Sequence, residues 1–146
     1  MIVKLPPDQI SALWDMIKFT VSESARADVL MNGNTLNNVL KNLLSGYSQS
    51  WHIYQDTPNG KDVYGSVVTY INHDPMTESS NLVIYSIYGY RVAPDDIWIE
   101  SFERLKEFAR SNRCDKVIGY TTSEVLRDRV AFLGLRESYK VLVSEL

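Results

Sequence analysis

A chain of 146 residues, 45% hydrophobic and 23% charged, suits one domain able to bury a core. Its net charge of -3 gives no electrostatic ground for a nucleic-acid partner, and no apolar run approaches the ~20 residues that span a bilayer. One cysteine, Cys114, excludes an intrachain disulfide, and two histidines far from it make no zinc site, so no metal is expected.

Taken in order, Met1–Leu5 reads as a short edge strand stopped by Pro6-Pro7. Asp8 is placed to cap a helix whose apolar stripe is Ile10, Leu13, Trp14, Ile17 and Val21. A second helix follows Asn32-Gly33-Asn34, with Leu36, Val39, Leu40, Leu43 and Leu44 on one face and Gly46 where a left-handed cap belongs. The first helix lacks the basic polar face of a membrane-surface element.

Trp51–Gln55 is an aromatic strand ending at Thr57-Pro58-Asn59-Gly60, a hairpin signal. Val63–Ile71 pairs back, and Asn72–Ser80 reads as a polar loop with Asp74-Pro75 initiating a turn. The strand Leu82–Tyr90 is apolar on both faces, as a centrally placed strand must be. After the turn Arg91-Val92-Ala93-Pro94, the spacing of Trp98, Phe102, Leu105 and Ala109, widened by Ile99 and Phe108, predicts a helix over Asp95–Arg113. The strand Lys116–Tyr120 then completes a β-α-β unit, parallel to Leu82–Tyr90. A helix over Ser123–Leu133, capped by Thr122 or Ser123 and facing Leu126, Val130 and Leu133 inward, leads through Gly134 to a strand at Tyr139–Val143. The fold class is therefore α+β: a single domain whose mixed sheet is flanked by helices, with the two parallel strands splayed at their C-terminal ends.

This element order resembles the GNAT (Gcn5-related N-acetyltransferase) fold over nearly the whole chain, and Ala131-Phe132-Leu133-Gly134-Leu135 is similar to the tail of the family's last helix. The resemblance implies that the turn after Leu82–Tyr90 corresponds to the family's Arg/Gln-x-x-Gly-x-Gly/Ala loop, which wraps the pyrophosphate of acetyl-coenzyme A. On that correspondence the cofactor-binding candidates are Arg91 and the backbone of Tyr88, Gly89, Tyr90, Arg91 and Val92. Only Arg91 fits the loop. Pro94 stands at the first glycine position and lacks an N–H, while Asp96 stands at the second with Asp95 beside it. A carboxylate ~4 Å from a phosphate costs about 1 kcal/mol in water and about 4 at an effective dielectric of 20. Asp95 or Asp96 is expected instead to cap its own helix. The family's acid tyrosine is replaced by Val130, four residues before Gly134.

No acid lies in Leu82–Tyr90, so base candidates fall outside it: His52, His73, Asp74 and Glu78. No catalytic residue is assigned. Two readings follow from the resemblance. One is a GNAT-like module without acyl-CoA, acting through a protein partner or a second copy. The other is an active divergent N-acetyltransferase using acetyl-CoA. Family members with eroded loops occur in tailed phages, which points to a cytoplasmic protein or a phage particle assembled in the cytoplasm. Trp51, Tyr54, Tyr64 and Tyr70 on the first hairpin, with Tyr47 and Trp98 elsewhere, are the rings expected to present an interface if helices do not cover both faces of the sheet.

Overall fold

The computed structural model describes residues 1–24, 31–121 and 124–146. Five strands form one sheet in sequence order: β1 (Ile2–Lys4), β2 (Ser48–Thr57), β3 (Gly60–Asp74), β4 (Ser79–Gly89) and β5 (Lys116–Gly119). The first four pair antiparallel and β5 runs parallel to β4, as the sequence predicts for a strand reached through a helical crossover. The helices are α1 (Pro7–Ala12), α2 (Trp14–Ser24), α3 (Gly33–Ser45), α4 (Asp95–Ser111) and α5 (Glu124–Val130), the last followed by a 3-10 turn over Ala131–Leu133. Among the described residues no helix is long and apolar enough to cross a membrane.

Each face of the sheet carries its own core. On one side Trp51, Ile53, Val67 and Leu82 pack with Ala93, Ile97, Leu105 and Ala109 of the crossover. On the other, Val68 packs with Leu5, Ile10, Ile17, Val21 and Leu43. The neighbours Val67 and Val68 thus serve opposite cores, which is the strand period of two at work. Phe102 is also buried and Trp98 packs half-buried against the first core, so the predicted stripe of α4 faces inward. Ile99 and Leu44 do not join their stripes and are exposed, each lying at the rim of its helix's apolar arc.

The first helix is interrupted at Leu13, giving α1 and α2 rather than one run. The i to i-4 bonds still pass through the joint, from Leu13 N–H to the Gln9 carbonyl (2.9 Å) and from Ile17 N–H to the Leu13 carbonyl (3.0 Å). The stripe therefore stays on one face. Its cap is Pro6 and not Asp8, because Pro7 at the first helical position moves the start back; Asp8 sits in the first turn, where its charge suits the dipole. In α3 the Asn32 side chain accepts from Thr35 N–H at 3.0 Å, and Gly46 closes the helix at φ 81°, as expected.

One loop and one strand prediction are corrected. Asn72–Asp74 and Ser79–Ser80 are strand, because pairing of β3 with β4 continues to Asp74 opposite Ser79 and leaves only a tight turn between. Asp74 does initiate that turn, its Oδ1 accepting from Met76 N–H at 2.9 Å. Tyr139–Val143 forms no strand. Its β-branched sequence supplies propensity but no pairing partner, and pairing is what makes a strand. Thr122 and Ser123, the cap candidates for α5, lie outside the described residues. Leu126, Val130 and Leu133 are the half-buried positions of that segment, as their spacing implies.

Buried polar groups in the second core have one measurable consequence. His52 on β2 is buried, and its Nε2 has no hydrogen-bond partner among the described residues. Burial disfavours the imidazolium and holds the His52 pKa below its ordinary 6.5. The unfolded chain therefore takes a proton near pH 6.5 that the folded ring refuses. The contribution is fully present above that pH and is lost as pH falls toward the lowered folded pKa. Stability measured by urea unfolding at pH 7.5 and pH 5 should fall more for the wild type than for His52→Gln. Equal falls would show that His52 does not titrate differently on folding.

Candidate functional site

The register of β4 builds the cleft. Its pairing with β5 runs only from Asn81 opposite Lys116 to Ile84 opposite Gly119. Beyond this, Tyr85–Gly89 continue without β5, so the parallel strands part at their C-terminal ends. A bulge lies at the same place: Val68 faces Ser86 and Thr69 faces Ile84, leaving Tyr85 as the extra residue. The end of β4 is held close to β3, since a Cβ on Gly65 would stand 2.7 Å from the Tyr88 carbonyl oxygen. Only glycine permits that approach.

Of the predicted residues, Tyr88 and Gly89 end β4, and Tyr90, Arg91 and Val92 lead to α4. The Tyr90 amide is already committed, donating to the Tyr64 carbonyl at 2.8 Å. Its hydroxyl donates to Ser66 Oγ at 3.2 Å and shares a hydrogen bond of 2.8 Å with Thr20 Oγ1 on α2. Thr20 and Ser66 are buried, so this phenol ties helix to sheet. Tyr88 meets Phe19 and Tyr90 edge-on at 5.4 and 5.5 Å. Val92 is 83% exposed, whereas Ala93 is buried beneath α4.

Arg91 turns back along the hairpin. Its guanidinium pairs with Asp62 at 3.5 Å and lies 5.7 Å from the Tyr64 ring centroid. Both charged groups are about half exposed, so the pair contributes about 0.2–1 kcal/mol and leaves Arg91 recruitable. Asp62 was not visible as a site residue from sequence; finding it requires the β3–β4 register, which sets Gly65 opposite Gly89.

The start of α4 is the heavier obstacle to an anion. Pro94 is its N-cap and has no N–H, and the Pro94 carbonyl accepts from Ile97 and Trp98. The expectation that Asp95 or Asp96 caps the helix is corrected: no side chain makes a cap hydrogen bond, because the cap position belongs to Pro94. Both acids are exposed in the first turn, where they complement the dipole in place of a bound anion.

Three of the four outside base candidates, His73, Asp74 and Glu78, lie at the far end of β4 from the cleft, whereas His52 is buried on β2 opposite Ser66. His73 bonds Ser80 at 3.0 Å, and Asp74 and Glu78 flank the turn before β4. From there β4 runs its full length, roughly 35 Å at 3.3–3.4 Å per residue, before the loop begins. The Met76 N–H also holds the Asp74 carboxyl below its ordinary range, which makes it a poorer base. Cys114 is half-buried, and burial followed by Asp115 pushes its thiol up, away from thiolate reactivity. Among the described residues no three His, Cys, Asp or Glu side chains converge as metal ligands.

A cavity of about 300 Å³ lies between α3 and the sheet, with Asn38, Asn42, Tyr47, Tyr70 and Tyr85 among its walls. Among the described residues no charged side chain lines it. None of the four rings expected on the hairpin surface is fully exposed. Trp51 is buried and Tyr54, Tyr64 and Tyr70 are half-buried, because both faces of the sheet are covered and Lys61 lies 4.2 Å over Tyr54. Tyr47 alone of the six rings is exposed, while Trp98 packs half-buried against the first core.

No protein-family model matches the chain, and no curated protein sequence matches it significantly. Solved structures do match. A predicted acetyltransferase from Clostridium acetobutylicum, solved with acetyl-CoA, aligns with a TM-score of 0.70 at 14% identity, over 99% of this chain and 95% of that one. An aminoglycoside acetyltransferase from an uncultured soil sample gives 0.67 at 19% identity, over 100% and 97%. Glucosamine-6-phosphate N-acetyltransferase from Arabidopsis thaliana gives 0.66 at 13% identity, over 99% and 97%. The chain has the GNAT fold over its full length.

Proposed function

We propose that this chain is an acetyltransferase-fold protein that does not use acyl-CoA and acts as a protein-interaction or structural module. One observation carries the reading: the helix start that would meet a pyrophosphate is made of Pro94, Asp95 and Asp96. It lacks a donor where one is needed and carries two carboxylates where phosphate oxygens would lie. The commitment of the Tyr90 amide to Tyr64, and the turn of Arg91 toward Asp62, support the same reading. So does the cavity beside α3, whose described lining residues include no charged group. An assembly role, the phage particle included, belongs to this proposal and follows from the family resemblance alone.

The rival reading is an active acyl-CoA-dependent N-acetyltransferase, favoured by the full-length likeness to a structure solved with acetyl-CoA. Here Arg91 and the backbone of Tyr88–Val92 would hold the pyrophosphate, and the bound thioester would supply the acyl group. Repairing the loop tests the proposal. Pro94→Gly with Asp96→Gly restores a donor and removes a carboxylate, so coenzyme A affinity by calorimetry should rise roughly tenfold or more, about 1.4 kcal/mol. An unchanged titration from a folded variant would show that the loop is not what keeps the cofactor out.

A further inference from the structure

A second cavity, of about 210 Å³, lies between α1 and the strands β1, β2 and β3, walled by Val3, Leu5, Leu13 and Val63. The His52 ring also lines it. That ring is 7% exposed, and its Nε2 has no hydrogen-bond partner among the described residues. We infer that this cavity binds a small aromatic carboxylate with a hydroxyl at its far end, the hydroxyl meeting His52 Nε2 and the carboxylate meeting Lys61. The site goes beyond the reading of the chain as an interaction module. It is also separate from the question of coenzyme A, since among the described residues nothing from the loop after β4 or the start of α4 lines it.

Each end of the cavity selects one end of the ligand. A buried polar atom without a partner is costly, so a ligand that supplies the partner gains most at this point. A hydroxyl serves either tautomer of the ring, donating to a bare nitrogen or accepting from an N–H. A carboxylate does not belong there. Burial holds the His52 pKa below its ordinary 6.5, so the ring is neutral and offers no charge to a desolvated anion. Lys61 is the one charged side chain in the lining among the described residues, and it is exposed. Its ammonium lies 4.2 Å over the Tyr54 ring, although Asp56 is its neighbour across the hairpin. Gln9 also lines the cavity and adds no charge. With a cation at the rim and no carboxylate in the lining, the cavity favours an anion over an amine.

The space between the two ends calls for a single ring. The extra residue of the β2–β3 bulge is Tyr64 on β3, so β2 keeps its alternation and His52 and Tyr54 share a face. Two residues of strand separate them, ~6.6–6.8 Å, a length that a para-substituted benzene covers. The apolar walls and the Tyr54 ring give that benzene its contacts. The volume lies below the roughly 300–1,000 Å³ of pockets for drug-sized ligands, which excludes a nucleotide or a coenzyme.

The probe is para-hydroxyphenylacetate, titrated into the unmodified protein with isotopically labelled histidine and followed by nuclear magnetic resonance. The Nε2 signal of His52 should shift saturably while that of His73, exposed at the far end of β3, stays fixed; His73→Gln tells the two apart. Phenylacetate, which lacks the hydroxyl, should bind roughly tenfold more weakly or worse, and so should tyramine, which carries an ammonium in place of the carboxylate. Lys61→Met, at an exposed position, should weaken para-hydroxyphenylacetate roughly fivefold or more with an unchanged circular dichroism spectrum. A His52 signal that does not move overturns the inference. So does equal affinity for the three compounds, which would mean that the cavity takes apolar rings without reading either end. A Lys61→Met variant that binds as tightly as the wild type overturns it as well.

Discussion

Replacing Trp51 by alanine is expected to cost about 3–5 kcal/mol, a large part of the roughly 5–15 kcal/mol that holds a domain of this size. Trp51 is buried in the core between the sheet and α4, edge-on to Phe108 at 5.0 Å. Its Nε1 donates to Thr69 Oγ1 at 2.9 Å, and that hydroxyl donates onward to Gln49 Oε1 at 2.9 Å. Alanine therefore leaves a cavity and strips one partner from a buried hydroxyl. Phenylalanine keeps most of the apolar contact and loses only the N–H bond, which is worth about 0.5–1.5 kcal/mol. Urea unfolding should show a lowered midpoint with an unchanged slope for both variants, in that order of severity. A cost below about 1.5 kcal/mol for Trp51→Ala would mean that this ring is not part of the core described.

The same residue shows what the sequence made legible and what it did not. The strand around Trp51 followed from its composition, and the parallel β4–β5 pair followed from the spacing of strand, helix and strand. Those are local patterns, and the period of apolar residues reports them directly. Whether Trp51 faced a partner or a core was a tertiary matter. It depended on α4 crossing one face while α1–α3 covered the other, so the ring surplus on the hairpin became packing. The terminal segment misled for the opposite reason: Val141–Val143 has strand propensity, but propensity names no neighbour.

The candidate site divides along the same line. Pro94, Asp95 and Asp96 could be read as departures from a phosphate-binding loop because the departure is in residue type. The engagement of Arg91 with Asp62 could not, since it depends on the register of β3 against β4. The Tyr90–Ser66–Thr20 network likewise joins α2, β3 and the end of β4 across 70 residues of sequence. The failed assignment of a cap to Asp95 or Asp96 has a small cause. A proline at the cap position moves the helix start, and the acids then serve the dipole without a hydrogen bond.

Calorimetric titration of the unmodified protein with coenzyme A tests the central claim most directly. The expected result is no saturable heat up to roughly millimolar ligand, a binding free energy weaker than about 4 kcal/mol. Two ionic strengths sharpen it. At about 0.01 M salt the Debye length is about 30 Å, against about 8 Å at 0.15 M, so carboxylates at the start of α4 repel the phosphates over a longer range. Affinity should accordingly not rise as salt is lowered. A saturable one-to-one isotherm with a micromolar Kd that tightens at low salt would contradict the claim. It would mean that Arg91 leaves Asp62 to meet the pyrophosphate and that the chain is an acyl-CoA enzyme after all.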